Sequence, residues 1–273
     1  KAYVLYSRMA SSWLNQGISA KCKLSSIQTT AIMAPNVALV IGSFFMGDSE
    51  KSAATVKKGF PKLEGLEVGE PTMGNEFDFD SLKDCKLLII CTSSQYGMPP
   101  PDFAEFAHHL LNAATNHPGC LKHLQHAVFG NGDETYFDTY MNMPRYMDML
   151  LEKAGSRRFF ARGEKGEPNA ALDTEKTTCE AWTKGMWAAA GAARKDPSAA
   201  AVPWDALWAK PKSEHHEQVT RWDLKKLESK LGKPETVPTI LTGKPRTAKF
   251  RDLQHYLSHI RDMDAGVKNV SKL

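Results

Sequence analysis

The amino-acid sequence predicts an α/β fold, in which a parallel β-sheet is covered by helices on both faces. One observation is that apolar runs of strand length, at residues 36–43 and 85–92, do not alternate with polar residues. Such runs are typical of strands that are buried on both faces of a parallel sheet. A second observation is that segments with helical periodicity, such as residues 101–116, separate these runs. Strands that alternate with helices in this way form a parallel sheet between two helical layers.

Five strands are expected, and they differ in strength. They are predicted at residues 36–43, 66–73, 85–92, 126–129 and 158–163. The first closes with Gly42 and Ser43, the second is weak, and the third is the strongest because almost all of its residues are apolar. The fifth is short. A turn at residues 79–83 takes the place of a helix after the second strand.

Four helices are expected between and after these strands. They are predicted at residues 52–60, 101–116, 140–154 and 172–194. Asp48 and Glu50 precede the first helix, where acids are favourable at a helix amino terminus. The second has Phe103, Phe106 and Leu110 on one face, the third is rich in methionine, and the fourth carries alanine and tryptophan.

Composition places the 273-residue chain among globular proteins, because 42% of its residues are hydrophobic and 24% are charged. No apolar stretch is long enough to span a bilayer. The five cysteines form no CxxC pair, which favours reduced thiols in the core over a metal site. No Ser-His-Asp, HExxH, Walker or zinc pattern is present. The methionines of the third helix are interpreted as core-filling residues, and His108 and His109 as surface or core histidines rather than metal ligands.

The charge distribution divides the chain into three parts. Residues 1–32 contain four basic residues and no acid, residues 33–196 have a net charge of −5, and residues 197–273 have a net charge of +5. Residues 1–32 have the composition of a transit peptide, which predicts a plastid or a mitochondrion; alternatively they are a non-native leader before Met33, and the protein is then expected in the cytoplasm. Residues 33–196 are the predicted α/β domain.

Residues 197–273 are predicted to form a basic extension that contacts either the main domain or a partner. A small-residue linker at 197–201 is followed by Trp204, Trp208 and Trp222. Helices are predicted at 217–231 and 250–262. This segment has too few aliphatic residues for a large core of its own.

Three strands end in loops that are suited to a flat ligand. Ligands of such sheets bind at the carboxyl ends of the strands. The candidate residues of the first loop are Ser43, Gly47 and Ser49, those of the second are Thr92, Ser93, Ser94, Tyr96 and Gly97, and those of the third are Gly130, Asn131, Gly132, Tyr136 and Phe137. Glycines let the backbone approach a ligand closely, and aromatic rings stack on flat cofactors.

These loops resemble those of the flavodoxin-like FMN domain found in diflavin reductases, a group that includes cytochrome P450 reductase, nitric oxide synthase and the sulfite reductase flavoprotein. The resemblance covers about residues 36–195 and implies a flavodoxin-like five-stranded sheet of order 2-1-3-4-5 with FMN as its cofactor. It further implies that hydroxyls and amides of the first loop bind the phosphate. Tyr96 is then expected to stack on one face of the ring, and Tyr136 with Phe137 to cover the other. The backbone at Gly97 is then expected near the ring nitrogen that gains a proton on reduction.

The first and second loops depart from the family pattern. Phe44, Phe45 and Met46 bring one extra residue and remove an expected hydroxyl, and Asp48 places a negative charge near the expected phosphate. In the second loop Gln95 is an additional residue. The third loop matches best.

Two functions follow from this resemblance. The first is an electron-transfer flavoprotein that shuttles single electrons between a separate reductase and a redox partner, which docks on the acidic domain. A quinone reductase on the same fold is a variant of this function for which the chain offers no specific argument. The alternative is an accessory subunit with a weakened or lost FMN site, anchored in a larger assembly by its Trp- and Arg-bearing extension. The modest charge density of that extension argues against binding to nucleic acid.

Overall fold

The computed structural model describes residues 35–43, 47–133, 135, 139–195, 224–244 and 246–247. At its centre lies a parallel sheet with the strand order β2-β1-β3-β4-β5. Its strands are β1 (Val37–Gly42), β2 (Thr72–Met73), β3 (Leu87–Ser93), β4 (Gln125–Asn131), β5 (Arg157–Arg158) and β6 (Gly163–Glu164). All pairings in this sheet are parallel, and β6 pairs with β4 beyond the end of β5. The predicted fold class and strand order are confirmed.

Helices cover both faces of the sheet, as the sequence predicts. They are α1 (Asp48–Lys58), α2 (Ala104–Asn116), α3 (Asn142–Lys153) and α4 (Cys179–Lys195). Alternate strand residues face opposite layers, so that Val40 and Ile90 pack in the cluster with α2 and α3, whereas Leu39 and Ile89 pack in the cluster with α1 and α4. This two-sided burial explains why the strands are continuously apolar.

The second strand is shorter than predicted. Only Thr72 and Met73 pair with β1, and Val68 makes an isolated bridge to Val37. Gly69 and Pro71 lie between these two contacts. Since proline has no backbone N–H and glycine weakens extended structure, a continuous ladder is interrupted here.

The fifth predicted strand is split into β5 and β6. The carbonyl of Ala161, between the two pieces, accepts a hydrogen bond of 2.9 Å from the indole nitrogen of Trp182. The neighbouring Phe159 and Phe160 are buried against the α1 and α4 layer. Side-chain packing therefore replaces the sheet ladder in the middle of this segment.

The third and fourth helices start later than predicted. Met141 has a φ of 51°, in the left-handed region, so α3 begins at Asn142. Residues 169–174 form a bridge, and Thr178 then caps α4 by accepting a 3.2 Å hydrogen bond from the Ala181 N–H. The side-chain cap and the preceding bridge set the start of α4 at Cys179.

Part of the basic extension packs on the α2 side of the domain. It forms α5 (Leu224–Leu231), α6 (Thr239–Thr242) and a short antiparallel pair of β7 (Thr236–Val237) with β8 (Arg246–Thr247). Leu227 and Leu241 are buried in the cluster that contains α2 and α3. The predicted helix 250–262 and the three tryptophans of the extension lie outside the described residues, and the predicted domain boundaries stay predictions.

Candidate functional site

The loops after β1, β3 and β4 begin at the same level of the sheet. Gly42 pairs with Thr92, and Thr92 pairs with Gly130 on its other side. One residue further on, Ser93 pairs with Asn131. The parallel register therefore brings the three candidate loops to one edge of the sheet, where ligands of such folds bind.

Ser43, the first polar residue after β1, is held by two carboxylates. Its backbone N–H donates to Asp102 Oδ1 at 3.2 Å, and its hydroxyl donates to Glu50. Ser43 is buried. The backbone N–H and the hydroxyl of Ser43 thus both contact protein in this structure. Residues 44–46 of this loop lie outside the described residues.

Positive charge surrounds Asp48 at the start of α1. Lys51 Nζ lies 3.1 Å and Lys165 Nζ 3.4 Å from its carboxylate. The hydrogen bond from Lys51 is the main reason that the pKa of Asp48 lies below its usual range, and Lys165 adds to the shift. The unfavourable charge expected from the sequence is therefore balanced, and the two lysines supply cations for an anionic group. Sequence reasoning missed Lys165, which only the fold brings to this loop.

Asn131 joins the first and third loops. Its amide oxygen accepts from the Ser52 hydroxyl at 3.1 Å, and its amide nitrogen donates to the Ser49 hydroxyl at 3.4 Å. All three side chains are buried. Ser49 and Asn131, both predicted site residues, are therefore brought together, and they fix α1 against the end of β4.

The second loop contains a tight turn at residues 95–98. The backbone of Gln95 exchanges two hydrogen bonds with Met98, of 3.0 and 2.8 Å. Tyr96 and Gly97 both have positive φ, 50° and 74°. This combination corresponds to a type I′ turn, in which glycine adopts the second central position without strain.

Two residues at the start of α3 hold this turn. Asn142 Nδ2 donates to the Gly97 carbonyl at 2.7 Å, and the Met143 N–H donates to the Ser94 hydroxyl at 2.7 Å. Ser93 and Tyr96 are half-buried next to them. Thr92 is completely buried against Gly42, where a Cβ would collide with Phe103 at 2.6 Å.

The side chain of Gln95 differs from its neighbours because neither end of its amide has a hydrogen-bond partner within the described chain. Its residual exposure is 3%. Each buried polar group that lacks a partner costs about 1–3 kcal/mol, and such groups require an explanation.

In the third loop, glycines permit close packing below the sheet edge. A Cβ at Gly130 would lie 2.8 Å from Pro144, and one at Gly132 would lie 3.2 Å from the ring of Tyr140. Gly132 is exposed. Tyr136 and Phe137, the predicted aromatic residues of this loop, lie outside the described residues.

A buried network of charges supports the third loop from below. Glu164 receives hydrogen bonds of 2.9 and 2.6 Å from Arg145 and one of 2.7 Å from Arg162. Arg162 also contacts Asp148 at 2.8 Å. The guanidinium of Arg145 lies 5.7 Å from the centre of the Tyr140 ring, on which Gly132 packs. The sequence analysis did not predict this network. The charged residues that follow the apolar residues 159–161 could have indicated it.

The network also explains the protonation of its members. Burial opposes ionisation of Glu164, but Arg162 and Arg145 outweigh it and lower its pKa to about 2. Burial likewise raises the pKa of the Tyr140 hydroxyl, and the nearby charge of Glu167 raises it further. Glu164 is therefore ionised and Tyr140 neutral at physiological pH.

His108 and His109, both on α2, are buried. His108 is buried, and burial together with His109 lowers its pKa to about 3. Within the described ranges no group of histidine, cysteine and acidic residues is arranged to hold a metal ion. None of the described helices is both long and apolar enough to cross a membrane.

The residues at this edge of the sheet fit a flavin nucleotide. The Gln95 amide in the second loop has a donor and an acceptor without a partner within the described residues, and the exposed backbone of Gly132 permits close approach. Lys51 and Lys165 supply positive charge beside the amino terminus of α1, which suits a phosphate.

The sequence matches the flavodoxin family over residues 46–182, which is half of the chain. The bifunctional cytochrome P450/NADPH–P450 reductase of Bacillus cereus is 37% identical over 125 residues, which are 46% of this chain and 11% of that protein. The NADPH sulfite reductase flavoprotein alpha-component of Neisseria meningitidis is 26% identical over 150 residues, which are 55% of this chain and 24% of that protein. A mutant of flavodoxin from Pseudomonas aeruginosa is 23% identical, with a TM-score of 0.45 over 58% of this chain and 98% of that chain.

The similarities to the two reductase proteins each concern one part of a longer protein. The chain spans about a tenth of the length of the P450 reductase and about a quarter of that of the sulfite reductase component. The sequence alignments support the flavodoxin-like domain and do not extend to the other parts of those proteins.

Proposed function

The chain belongs to the flavodoxin family, whose domains bind FMN and which includes modules of electron-transfer proteins, and we propose that it shuttles single electrons between a separate reductase and a redox partner. The observation that carries this proposal is the meeting of three glycine- and hydroxyl-bearing loops at one edge of the parallel sheet. When bound, FMN supplies the redox chemistry.

The chain's own residues bind and orient the cofactor in this proposal. Lys51 and Lys165 balance the phosphate charge, and Ser93, Ser94 and the 95–98 turn border the ring. Tyr96 and Tyr136 cover its faces, as the family resemblance implies. The buried polar contacts of Asn131 and Asn142 fix the loops in advance, which lowers the entropic cost of binding.

The partners are proposed from charge. The net charge of −5 over residues 33–196 favours redox partners with a basic docking face, because opposite charges accelerate encounter. Electrons then arrive from a separate reductase and leave to such a partner.

The visible absorption spectrum of the purified full-length protein is the first test. We expect flavin bands, release of FMN on denaturation, and reduction of cytochrome c, a basic one-electron acceptor, by the chemically reduced protein. Raising the salt concentration should slow that last step. A protein that is colourless and takes up no added FMN would refute the proposal.

The accessory-subunit alternative is favoured by one observation, namely that both hydrogen-bonding groups of Ser43 contact the carboxylates of Asp102 and Glu50. If these contacts remain in the presence of FMN, the N–H and hydroxyl of Ser43 cannot donate hydrogen bonds to its phosphate. In this alternative the protein takes up no FMN, and it co-purifies with its assembly only when residues 197–273 are present. Equal recovery of the assembly after removal of those residues would contradict it.

A further inference from the structure

The side-chain amide of Gln95, in the second loop, is buried and has no hydrogen-bond partner within the described residues. Both the oxygen and the nitrogen of that amide lack a hydrogen bond, and the residue is 3% exposed. Bulk water therefore does not reach the group. An amide in this position is explained when a ligand supplies its hydrogen bonds.

The backbone around Gln95 is held by hydrogen bonds on both sides. Its own N–H and C=O pair with Met98. On one side the Ser94 hydroxyl accepts from Met143, and on the other the Gly97 carbonyl accepts from Asn142. The main-chain groups are thus engaged, and the amide alone is left for another molecule.

The chemistry of the amide identifies the kind of group it can bind. A primary carboxamide presents one acceptor and two donors side by side. Its complement is a ring edge with adjacent N–H and C=O groups. The pyrimidine half of a flavin has such an edge, since its N3–H lies between two carbonyls.

Resting on the proposed function, we propose that Gln95 is a specificity-determining residue that hydrogen-bonds the N3–H and carbonyl edge of the flavin ring. This residue is adjacent to Tyr96, to which the family resemblance gives the role of stacking on the ring. Gln95, the additional residue of the second loop, thereby has a role in binding the ring. An alternative occupant is a buried water molecule, which would give Gln95 a purely structural role.

The test uses Gln95→Leu in the full-length protein, with FMN and N3-methyl-FMN as probes. Removal of an unpaired amide leaves the melting temperature of the flavin-free protein unchanged or raises it. At the same time, loss of the hydrogen bonds weakens FMN binding about tenfold, which corresponds to 1.4 kcal/mol. The melting temperature of the flavin-free protein is thus kept or raised while the affinity for FMN falls. A purely structural role of Gln95 does not produce this combination.

N3-methyl-FMN lacks the N3–H and tests the pairing directly. We expect the unsubstituted protein to bind it about tenfold more weakly than FMN, and Gln95→Leu to bind the two ligands equally. Gln125→Leu is the matched control, because Gln125 lies at the opposite end of β4 and pairs with Arg157. This control should retain the affinity for FMN.

The outcomes separate this inference from the function on which it rests. If the unsubstituted protein binds FMN but Gln95→Leu binds it equally tightly, or discriminates equally against N3-methyl-FMN, the role of Gln95 is refuted while the proposed function stands. A clear fall in the melting temperature of flavin-free Gln95→Leu with unchanged affinity assigns the amide a structural role. If the unsubstituted protein binds no FMN, both proposals are overturned.

Discussion

Asp102 connects the first and second loops through a single carboxylate. Burial raises its pKa to about 6; the N–H of Ser43 opposes this shift and the nearby charge of Glu50 adds to it. The ordinary value for aspartate is 3.8. Asp102 is therefore a site where folding and protonation are coupled.

We expect Asp102→Asn to remove part of the pH dependence of stability. Because the folded-state pKa is raised, the folded protein binds more protons than the unfolded chain between about pH 4 and 6, and stability falls as the pH rises through this range. The free energy of unfolding of the variant, measured by urea denaturation at several pH values, should decline less across it. The exposed Asp84→Asn serves as control and should follow the unsubstituted protein. Parallel curves for all three proteins would contradict this prediction.

Asp148 shows how strongly a buried charge depends on its partners. Burial alone would raise its pKa, but the hydrogen bond from His126 and the charges of Arg158 and Arg162 hold it well below the usual range. Arg158 donates to Oδ1 at 2.7 Å, and Arg162 donates to Oδ2 at 2.8 Å. The carboxylate is thus shared by two buried guanidinium groups.

Asp148→Asn should destabilise the protein by about 3–5 kcal/mol, because two buried arginines lose their shared counter-charge. Urea denaturation at pH 7 measures this change. Glu70→Gln is the matched control, since it removes the same charge from a surface ion pair with Lys57. That substitution should change stability by less than about 1 kcal/mol. Equal effects of the two substitutions would show that burial of the network has no energetic importance.

At the level of elements, α5 makes the basic extension part of the domain's packing. Leu227 is buried among side chains of the α2 and α3 layer, and Glu228 lies 3.5 Å from His108 on α2. The backbone N–H of Ile240, on α6, also donates to Asp80 at 2.6 Å. The described part of the extension therefore packs against α2 and the segment that contains Asp80.

Leu227→Ala should loosen α5 and α2 together. Truncation of a buried leucine costs about 2–5 kcal/mol, and amide hydrogen exchange should quicken in both helices. The exposed Lys225→Ala, on the same helix, is expected to leave exchange unchanged. Faster exchange in α5 alone would mean that the extension does not stabilise the domain.

For the molecule as a whole, cofactor binding and folding stability are linked. A ligand that binds only the folded state adds about 2.7 kcal/mol at a concentration of 100 times its Kd. For a chain of this size, that corresponds to a rise in melting temperature of about 5–10 °C.

We expect FMN at such a concentration to produce this rise, as measured by calorimetry. Riboflavin at the same concentration is the matched ligand, because it lacks only the phosphate. A smaller shift with riboflavin would show that the phosphate contributes to binding, as expected if Lys51 and Lys165 lie beside it. Equal shifts would mean that the first loop does not bind it.

The sequence was sufficient for the parts of the fold that depend on local pattern. Runs such as residues 85–92 are apolar because both faces of the strand are buried, and the structure confirms β3 there. The split between β5 and β6 was not predictable, because it depends on the indole of Trp182, which lies some 20 residues further along the chain and reaches Ala161 only in the folded protein.

The candidate site was predictable to the extent that its residues follow strands directly. Gly42, Thr92 and Gly130 meet because parallel strands pair in register. Lys165, Asn142 and the buried arginines come from other elements, and their contacts arise from tertiary packing. The missing partners of Gln95 likewise become visible only when the burial of its side chain is known.

The buried charges beneath the third loop have a consequence for how this chain can diverge. A descendant that loses Asp148 leaves Arg158 and Arg162 without the carboxylate that they share, although their contacts with Glu152 and Glu164 remain. Loss of one arginine leaves Asp148 with one guanidinium partner fewer. Each single step is costly, so these positions are expected to be inherited or replaced as a group. In an alignment of close relatives, acidic and basic residues at these positions should covary.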